Sequence, residues 1–301
     1  MARSADSVQL KAGDGPVAAE GRAAALSWRR LRRSPNLVAG TIILTLVVLS
    51  ALLAPYISPY DPVDQDFASQ LRPPSASHLF GTDEFGRDIF SRVVYGARIA
   101  LNVGAVADAI ATALGVLLGL LAGYFGGRLD AVLTRLLDVM LAFPYLLLAM
   151  IVVAILGPGL TNAMVAIAIV YTPQFARVVR GVVLSVKEQE FVESARAMGS
   201  GTFRIVCRSI LPNIVSPIIV MATLTVGFMI VETAGLSFLG LGASPPTPEW
   251  GSMLATGRQY MLTAPWITTF PGLAILVTVV AFNLVGDGLR DLLDPRLRGR
   301  V

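Results

Sequence analysis

The chain has 301 residues, 54% of them hydrophobic and 15% charged, with a formal net charge of +4. Soluble domains carry about 25% charged residues, so this composition excludes an ordinary soluble protein; apolar runs near or above the roughly 18 residues needed to cross a bilayer recur along the chain. The basic balance reads as membrane topology rather than nucleic-acid binding, the single cysteine, Cys207, excludes an intrachain disulfide, and the single histidine, His78, with no second ligand beside it, excludes a metal site.

Residues 1–35 read as a basic, disordered cytosolic tail rich in Ala, Gly and Ser. It ends in Trp28-Arg29-Arg30-Leu31-Arg32-Arg33, an orientation signal that could also meet acidic lipid. Span 1 is predicted at about 37–57, stopped by Pro55, Pro59 and Pro62. No cleavage pattern follows it, so it is expected to remain in place. The polar loop 58–98 holds six acids and four arginines. From Ile89 its spacing turns helical. That predicts an amphipathic helix lying on the bilayer, with Asp88 and Arg92 as an i,i+4 ion pair of small worth if exposed.

Span 2 is predicted at about 99–123. Gly115, Gly119, Gly123 and Gly127 recur every fourth residue, a pattern that lets another helix approach closely. Span 3 (about 132–156) carries Pro144 as a kink. Span 4 (about 160–178) is closed by Arg177 and Arg180. A polar segment, 187–212, follows. In it Phe191, Ala195 and Met198 share one helical face, and Glu190, Glu193 and Arg196 the other. Gly199 and Gly201 end that helix, and a second short helix leads to Leu211-Pro212. Span 5 is about 213–235, and the Gly- and Pro-rich stretch to Trp250 reads as a re-entrant or exposed loop. Span 6, about 266–286, is ended by Gly286-Asp287-Gly288, leaving a polar cytosolic tail at 289–301.

The fold class is therefore all-α, with six transmembrane spans. The chain divides into a tail (1–35), a first span with its loop and interfacial helix (36–98), a core (99–288) and a second tail (289–301). With both termini in the cytosol, 19 Lys and Arg fall inside and 5 outside. The positive-inside rule supports that orientation and puts 187–212 in the cytosol.

Two acids lie within apolar runs. Asp108 is ten residues past Arg98, about 15 Å at helical rise, and is a candidate either for the solute pathway or for structural pairing. Glu232 lies near the far end of span 5, where an acid can reach water, and is a candidate gate or receptor contact. A P-loop needs Gly-Lys-Ser/Thr, and the two lysines, Lys11 and Lys187, follow Leu10 and Val186. The chain is therefore not its own ATPase. No catalytic residue, metal or cofactor is expected in it.

EFVESARAMG, nine residues, then Ser209-Ile210-Leu211-Pro212 resembles the EAA loop of ABC-importer membrane subunits, E-A-A-x3-G-x9-I-x-L-P. Glu193, Ser194, Ala195, Gly199, Leu211 and Pro212 fall on it. Ser194 replaces the second alanine, and Ser209 stands at the isoleucine position. FGTDEFGRDIFSRVVYGAR (80–98), SFLGLGASPPTPEWGSML (237–254) and GDGLRDLLDPRLR (286–298) resemble the C-type permease of dipeptide, oligopeptide and nickel importers. The resemblance covers the chain from about Arg30 onward. It implies a homologous second permease, two cytosolic ATPase subunits holding ATP and Mg, and an extracytoplasmic solute-binding protein. It also makes 187–212 the ATPase-docking segment, with Phe191, Ala195 and Met198 packing and Glu193 making polar contact. The competing reading is an amphipathic loop resting on lipid. The implied solute is a di- or oligopeptide, with nickel or another small solute as the alternative. A stand-alone secondary transporter predicts inverted repeats and several mid-span charges, and neither is evident. A membrane scaffold without a transported solute is the remaining reading.

Overall fold

The computed structural model describes residues 34–293. The tail expected over 1–35, with its Trp28–Arg33 run, lies outside them except for its last two residues, and so does 294–301. Besides a single turn at Ala54–Ile57 and two short 3-10 turns, the helices are α1 (Pro35–Leu52), α2 (Ile89–Phe125), α3 (Gly127–Leu141), α4 (Tyr145–Leu156), α5 (Leu160–Val186), α6 (Glu190–Ala197), α7 (Thr202–Phe238), α8 (Trp250–Gly257) and α9 (Trp266–Leu293). Of these, α1, α2, α5, α7 and α9 are long and apolar enough to cross a membrane, and α3 with α4, bent by 97° at their junction, meet the same test together as a candidate sixth span.

The glycine ladder of α2 is the seam of the bundle. A Cβ on Gly119 would stand 2.6 Å from the Val179 Cβ and 2.7 Å from the Ala176 carbonyl of α5. Gly115 meets Phe175 and Gly123 meets Val183 in the same way. Bare backbone at three successive turns lets the two helices touch along their length. Gly127 stands apart from the ladder: it opens α3 at φ +58 with no neighbour within 4 Å.

Several expectations are corrected. The helix from Ile89 is not a separate amphipathic helix. It continues unbroken to Phe125, and its first turns, at Ile89, Ser91, Arg92, Val94 and Ala97, are buried against other parts of the chain. Asp88 and Arg92 form no side-chain pair. Asp88 is the N-cap, in extended backbone, and its carboxylate takes the Ser91 N–H and hydroxyl, each at 2.8 Å, and the His78 Nδ1 at 3.0 Å. A cap side chain turns back over the first turn instead of along the i+4 face. Pro144 does more than kink span 3: it separates two helices.

Span 4 runs past 178 to Val186. Arg177 and Arg180 do not close it, because Asp138 and Asp130 of α3 pair with them at 2.5 Å each. No break occurs at Leu211-Pro212. A wide π turn at Val206–Ile210 ends one residue before Leu211-Pro212 and carries α7 through the place where the proline's missing N–H would interrupt an α-helix. Span 6 does not end at Gly286-Asp287-Gly288, and the tail expected from 289 is helical as far as Leu293. Gly286 and Gly288 are close-approach points instead, set against Leu224 and Leu37. The stretch after α7 contains a further helix, α8, which the expected loop omitted.

Candidate functional site

At one end of the bundle α6 lies as a separate two-turn helix. Glu190 and Glu193 stand in its first turn and Arg196 in its last, each matching the helix dipole. Val192 is 0% exposed and joins Val179, Val183, Ile205 and Ile210 in one apolar cluster, which fixes α6 to α5 and to the start of α7. Gly199 then reverses the chain. Its N–H reaches the Arg196 carbonyl at 3.0 Å and the Ser200 N–H reaches the Ala195 carbonyl at 3.1 Å, the paired bonds of a Schellman stop, with Gly199 at φ +76. Lys187 ties the segment to α2 by donating from Nζ to the Gly123 carbonyl at 2.9 Å.

The expected apolar face is split. Phe191 is 41% exposed and Met198 79%, whereas Ala195 turns inward and packs on the cluster beside Val192. Phe203, 81% exposed, was not singled out from the sequence, and it adds a third apolar side chain to the outer surface of this segment. The signal was its position two residues after Gly201, on a short helix whose inward residue is Ile205. Glu193 and Ser194 are exposed, Leu211 is half-buried against the cluster, and Pro212 is exposed. The surface thus offers apolar anchors ringed by charge, which is the composition of a docking patch.

A groove of about 1130 Å³ runs along α7 between α5 and the end of α9. Pro212 and Asn213 line it at the α6 end, Arg290 lines it from α9, and Glu232 is the lining residue of α7 farthest from Pro212. Tyr145 and Tyr171 form part of its wall, with their rings stacked 5.1 Å apart between centroids. Glu232 is half-buried and makes no hydrogen bond or ion pair among the described residues. Asp108 does not line the groove. It is 6% exposed and accepts a hydrogen bond at 2.5 Å from Thr225 Oγ1, and Thr225 itself forms part of the wall.

At the other end of the bundle the segments before α2 and after α7 fold together. Asp83 organises the turn Thr82–Asp88. Its Oδ1 accepts from the Phe85 and Arg87 N–H groups at 2.9 Å each, and its Oδ2 holds Arg87 Nε at 2.6 Å. Arg92 approaches the same carboxylate at 3.6 Å and donates to the carbonyls of Pro62 (2.8 Å) and Pro246 (3.2 Å). The buried charges are thus paired and hydrogen-bonded, the condition under which such charges are tolerated. Glu249 caps α8 through the Gly251 and Ser252 N–H groups at 2.9 and 2.7 Å. Burial raises its carboxyl above the usual glutamate range, and these two bonds oppose the shift. Trp266 closes the assembly, donating from Nε1 to the Thr82 carbonyl at 3.1 Å.

Five membrane-length helices with a bent pair as a candidate sixth, a short helix at one end and a groove along the bundle fit a membrane-spanning transporter subunit. Residues 115–299 match the family model described as "Binding-protein-dependent transport system inner membrane component", and residues 24–74 match "N-terminal TM domain of oligopeptide transport permease C". The chain is 47% identical over 272 residues to the dipeptide transport system permease protein DppC of Alkalihalophilus pseudofirmus, covering 90% of each chain. It is 50% identical over 273 residues to the glutathione transport system permease protein GsiD of Escherichia coli O157:H7, again covering 90% of each. It is 46% identical to the di/tripeptide transport system permease protein DppC of Pseudomonas aeruginosa, covering 90% of this chain and 91% of that one. Among solved structures, a chain of the MetNI methionine ABC transporter in an inward-facing conformation superposes with a TM-score of 0.57 at 20% identity. That match spans 68% of this chain and 98% of the other, a likeness of fold. The chain belongs to the binding-protein-dependent transport family: it is a multi-pass inner-membrane permease subunit of an ABC importer.

Proposed function

We propose that the chain forms, with a homologous second permease, the pathway of an ATP-driven importer for di- or oligopeptides delivered by an extracytoplasmic solute-binding protein. The observation that carries the coupling role is the build of 187–212. Val192 and Gly199 hold a two-turn helix rigidly against the bundle while Phe191, Met198 and Phe203 stay exposed on it. Two cytosolic ATPase subunits, holding ATP and Mg, would seat on these side chains, with Glu193 making the polar contact. In this orientation both termini are cytosolic, and the folded segments around Asp83 and Glu249 face the delivery protein.

ATP binding draws the ATPases together and moves α6. The Val192 cluster passes that displacement to α5 and α7, and the Lys187–Gly123 bond passes it to α2. The packed α2–α5 seam moves as a unit, so the groove is exposed to each side in turn. Asp108 serves the wall through Thr225, and Glu232 serves the path. The names of the relatives, dipeptide, di/tripeptide and glutathione permeases, favour a peptide over nickel.

The test is a mild-detergent pull-down with ATPase assay and identification of the bound chains. A second permease and P-loop ATPases should be recovered, and the ATPases should be lost when Met198 and Phe203 are both replaced by serine. A chain that purifies alone with uptake driven by an ion gradient would transfer the assignment to a secondary transporter.

A further inference from the structure

Among the described residues, the groove is lined by one carboxylate, Glu232, and one cation, Arg290. They stand apart: Gly286 of α9 packs on Leu224, so Arg290, one turn further, lies on the Pro212 side of that point, and Glu232 lies two turns the other way along α7. Glu232 is half-buried on a helix otherwise free of charge from Leu211 to Phe238, and among the described residues nothing bonds to it. A half-buried acid without a partner is costly in an apolar setting. Its retention in a groove points to a cationic ligand that comes and goes.

The neighbours suit such a ligand. Tyr145 and Tyr171 line the same groove as a stacked pair, offering aromatic faces and hydroxyls. Gln174, one turn beyond Tyr171 on α5, adds an amide acceptor. Phe228, one turn before Glu232 on the same face of α7, closes the apolar side. A carboxylate, two phenols, an amide oxygen and an apolar wall make a site for a primary ammonium on a small organic body.

We infer that Glu232, with Tyr145, Tyr171 and Gln174, forms a subsite for the free α-ammonium group of a peptide in transit. This rests on the peptide-importer reading above. Among the described residues no cation other than Arg290 lines the groove, so the peptide's positive end is held at Glu232 while its carboxylate end points toward Arg290. A cationic side chain of the neighbouring permease is the competing partner for Glu232.

The experiment uses the assembled complex in proteoliposomes, with Cys207→Ser and Phe228→Cys in this chain. Labelling of Cys at 228 by a cationic and an anionic methanethiosulfonate is read by mass spectrometry on this chain. Uptake of alanyl-alanine by the complex is measured first. The cationic reagent should react faster, and Glu232→Gln should lower that preference about tenfold, equivalent to about 1.4 kcal/mol. Alanyl-alanine should protect the thiol, and N-acetyl-alanyl-alanine should not. Equal protection by both peptides, a charge preference unchanged by Glu232→Gln, or a thiol inert to both reagents overturns the subsite. Loss of the neighbouring permease from the Glu232→Gln complex does so as well, by assigning Glu232 to that contact. The comparison of the two peptides needs no change at Glu232, so a poorly folded variant does not remove the test. Absent uptake with the charge preference intact would contradict the peptide reading alone.

Discussion

Trp250 donates its indole N–H to the carbonyl of Val93 at 2.9 Å, joining residues 157 positions apart. It lies against Gly96, where a Cβ would stand 2.5 Å from the indole nitrogen. This contact locks α8 onto the start of α2. It also explains why two motif blocks distant in sequence, 80–98 and 237–254, belong together: each supplies half of one folded surface.

Trp250→Ala should destabilise that surface by about 3–5 kcal/mol, the usual range for removing a buried tryptophan. Trp250→Phe should cost less, with about 1 kcal/mol of it from the hydrogen bond. Thermal unfolding in detergent and protease cleavage within 58–88 and 239–265 check the ranking.

At the α2–α5 seam, Gly119→Ala should cost about 1–3 kcal/mol by overpacking, and Gly119→Leu should separate the helices. Gly227→Ala is the control, because its Cβ would meet nothing nearer than 3.5 Å. Melting temperature should fall most for Gly119→Leu, less for Gly119→Ala, and stay near the parent for Gly227→Ala.

Gly199 has open space around it, so its constraint is backbone conformation rather than room. Gly199→Ala should cost about 1–2 kcal/mol at the α6 stop, the left-handed penalty for an L-residue, and Gly199→Asn should cost less. In the assembled complex Gly199→Val and Glu193→Arg should retain ATP hydrolysis and lose uptake. Normal uptake in both would remove the docking role from this segment.

Burial raises the carboxyls of Glu249 and Glu84 above their ordinary range. Between the unfolded and folded values the folded protein holds more protons, so stability there falls as pH rises. The loop surface should therefore gain stability on acidification from neutrality toward the ordinary glutamate value and gain no more from these groups below it. Glu84→Gln with Glu249→Gln should flatten that rise in unfolding measured against pH. An unchanged slope would contradict the burial argument.

Asp108→Asn keeps an acceptor for the Thr225 hydroxyl, so uptake should stay near that of the parent; in Asp108→Leu that hydroxyl still has the Met221 and Ala222 carbonyls at 3.0 and 3.1 Å, so the stability loss should be confined to about 1 kcal/mol for the bond to the side chain. Transport lost in Asp108→Asn with folding intact would return Asp108 to the solute path.

The spans, the glycine ladder and the stop at Gly199 were legible because each depends on local chemistry: apolar length, small residues at helical spacing, a residue that tolerates positive φ. What the sequence misassigned depends on distant partners. Arg92 looked free to meet Asp88 four residues away, but the turn built on Asp83 and two loop carbonyls claim it. Arg177 and Arg180 looked like a helix end until Asp138 and Asp130 paired with them. Ala195 and Phe203 exchanged importance because Val192, unremarked in the periodicity, sets which side of α6 faces in. At the groove, Glu232 was visible as an acid, but its tyrosine neighbours come from α4 and α5.

The most direct test is uptake of radiolabelled alanyl-alanine into proteoliposomes holding the complete complex, with ATP and the loaded delivery protein supplied on their proper sides. Uptake that requires ATP, and that falls to background when Met198 and Phe203 are replaced by serine, is the predicted result. Uptake that proceeds without ATP under an ion gradient, or that survives that double replacement, would contradict a permease driven through its 187–212 segment.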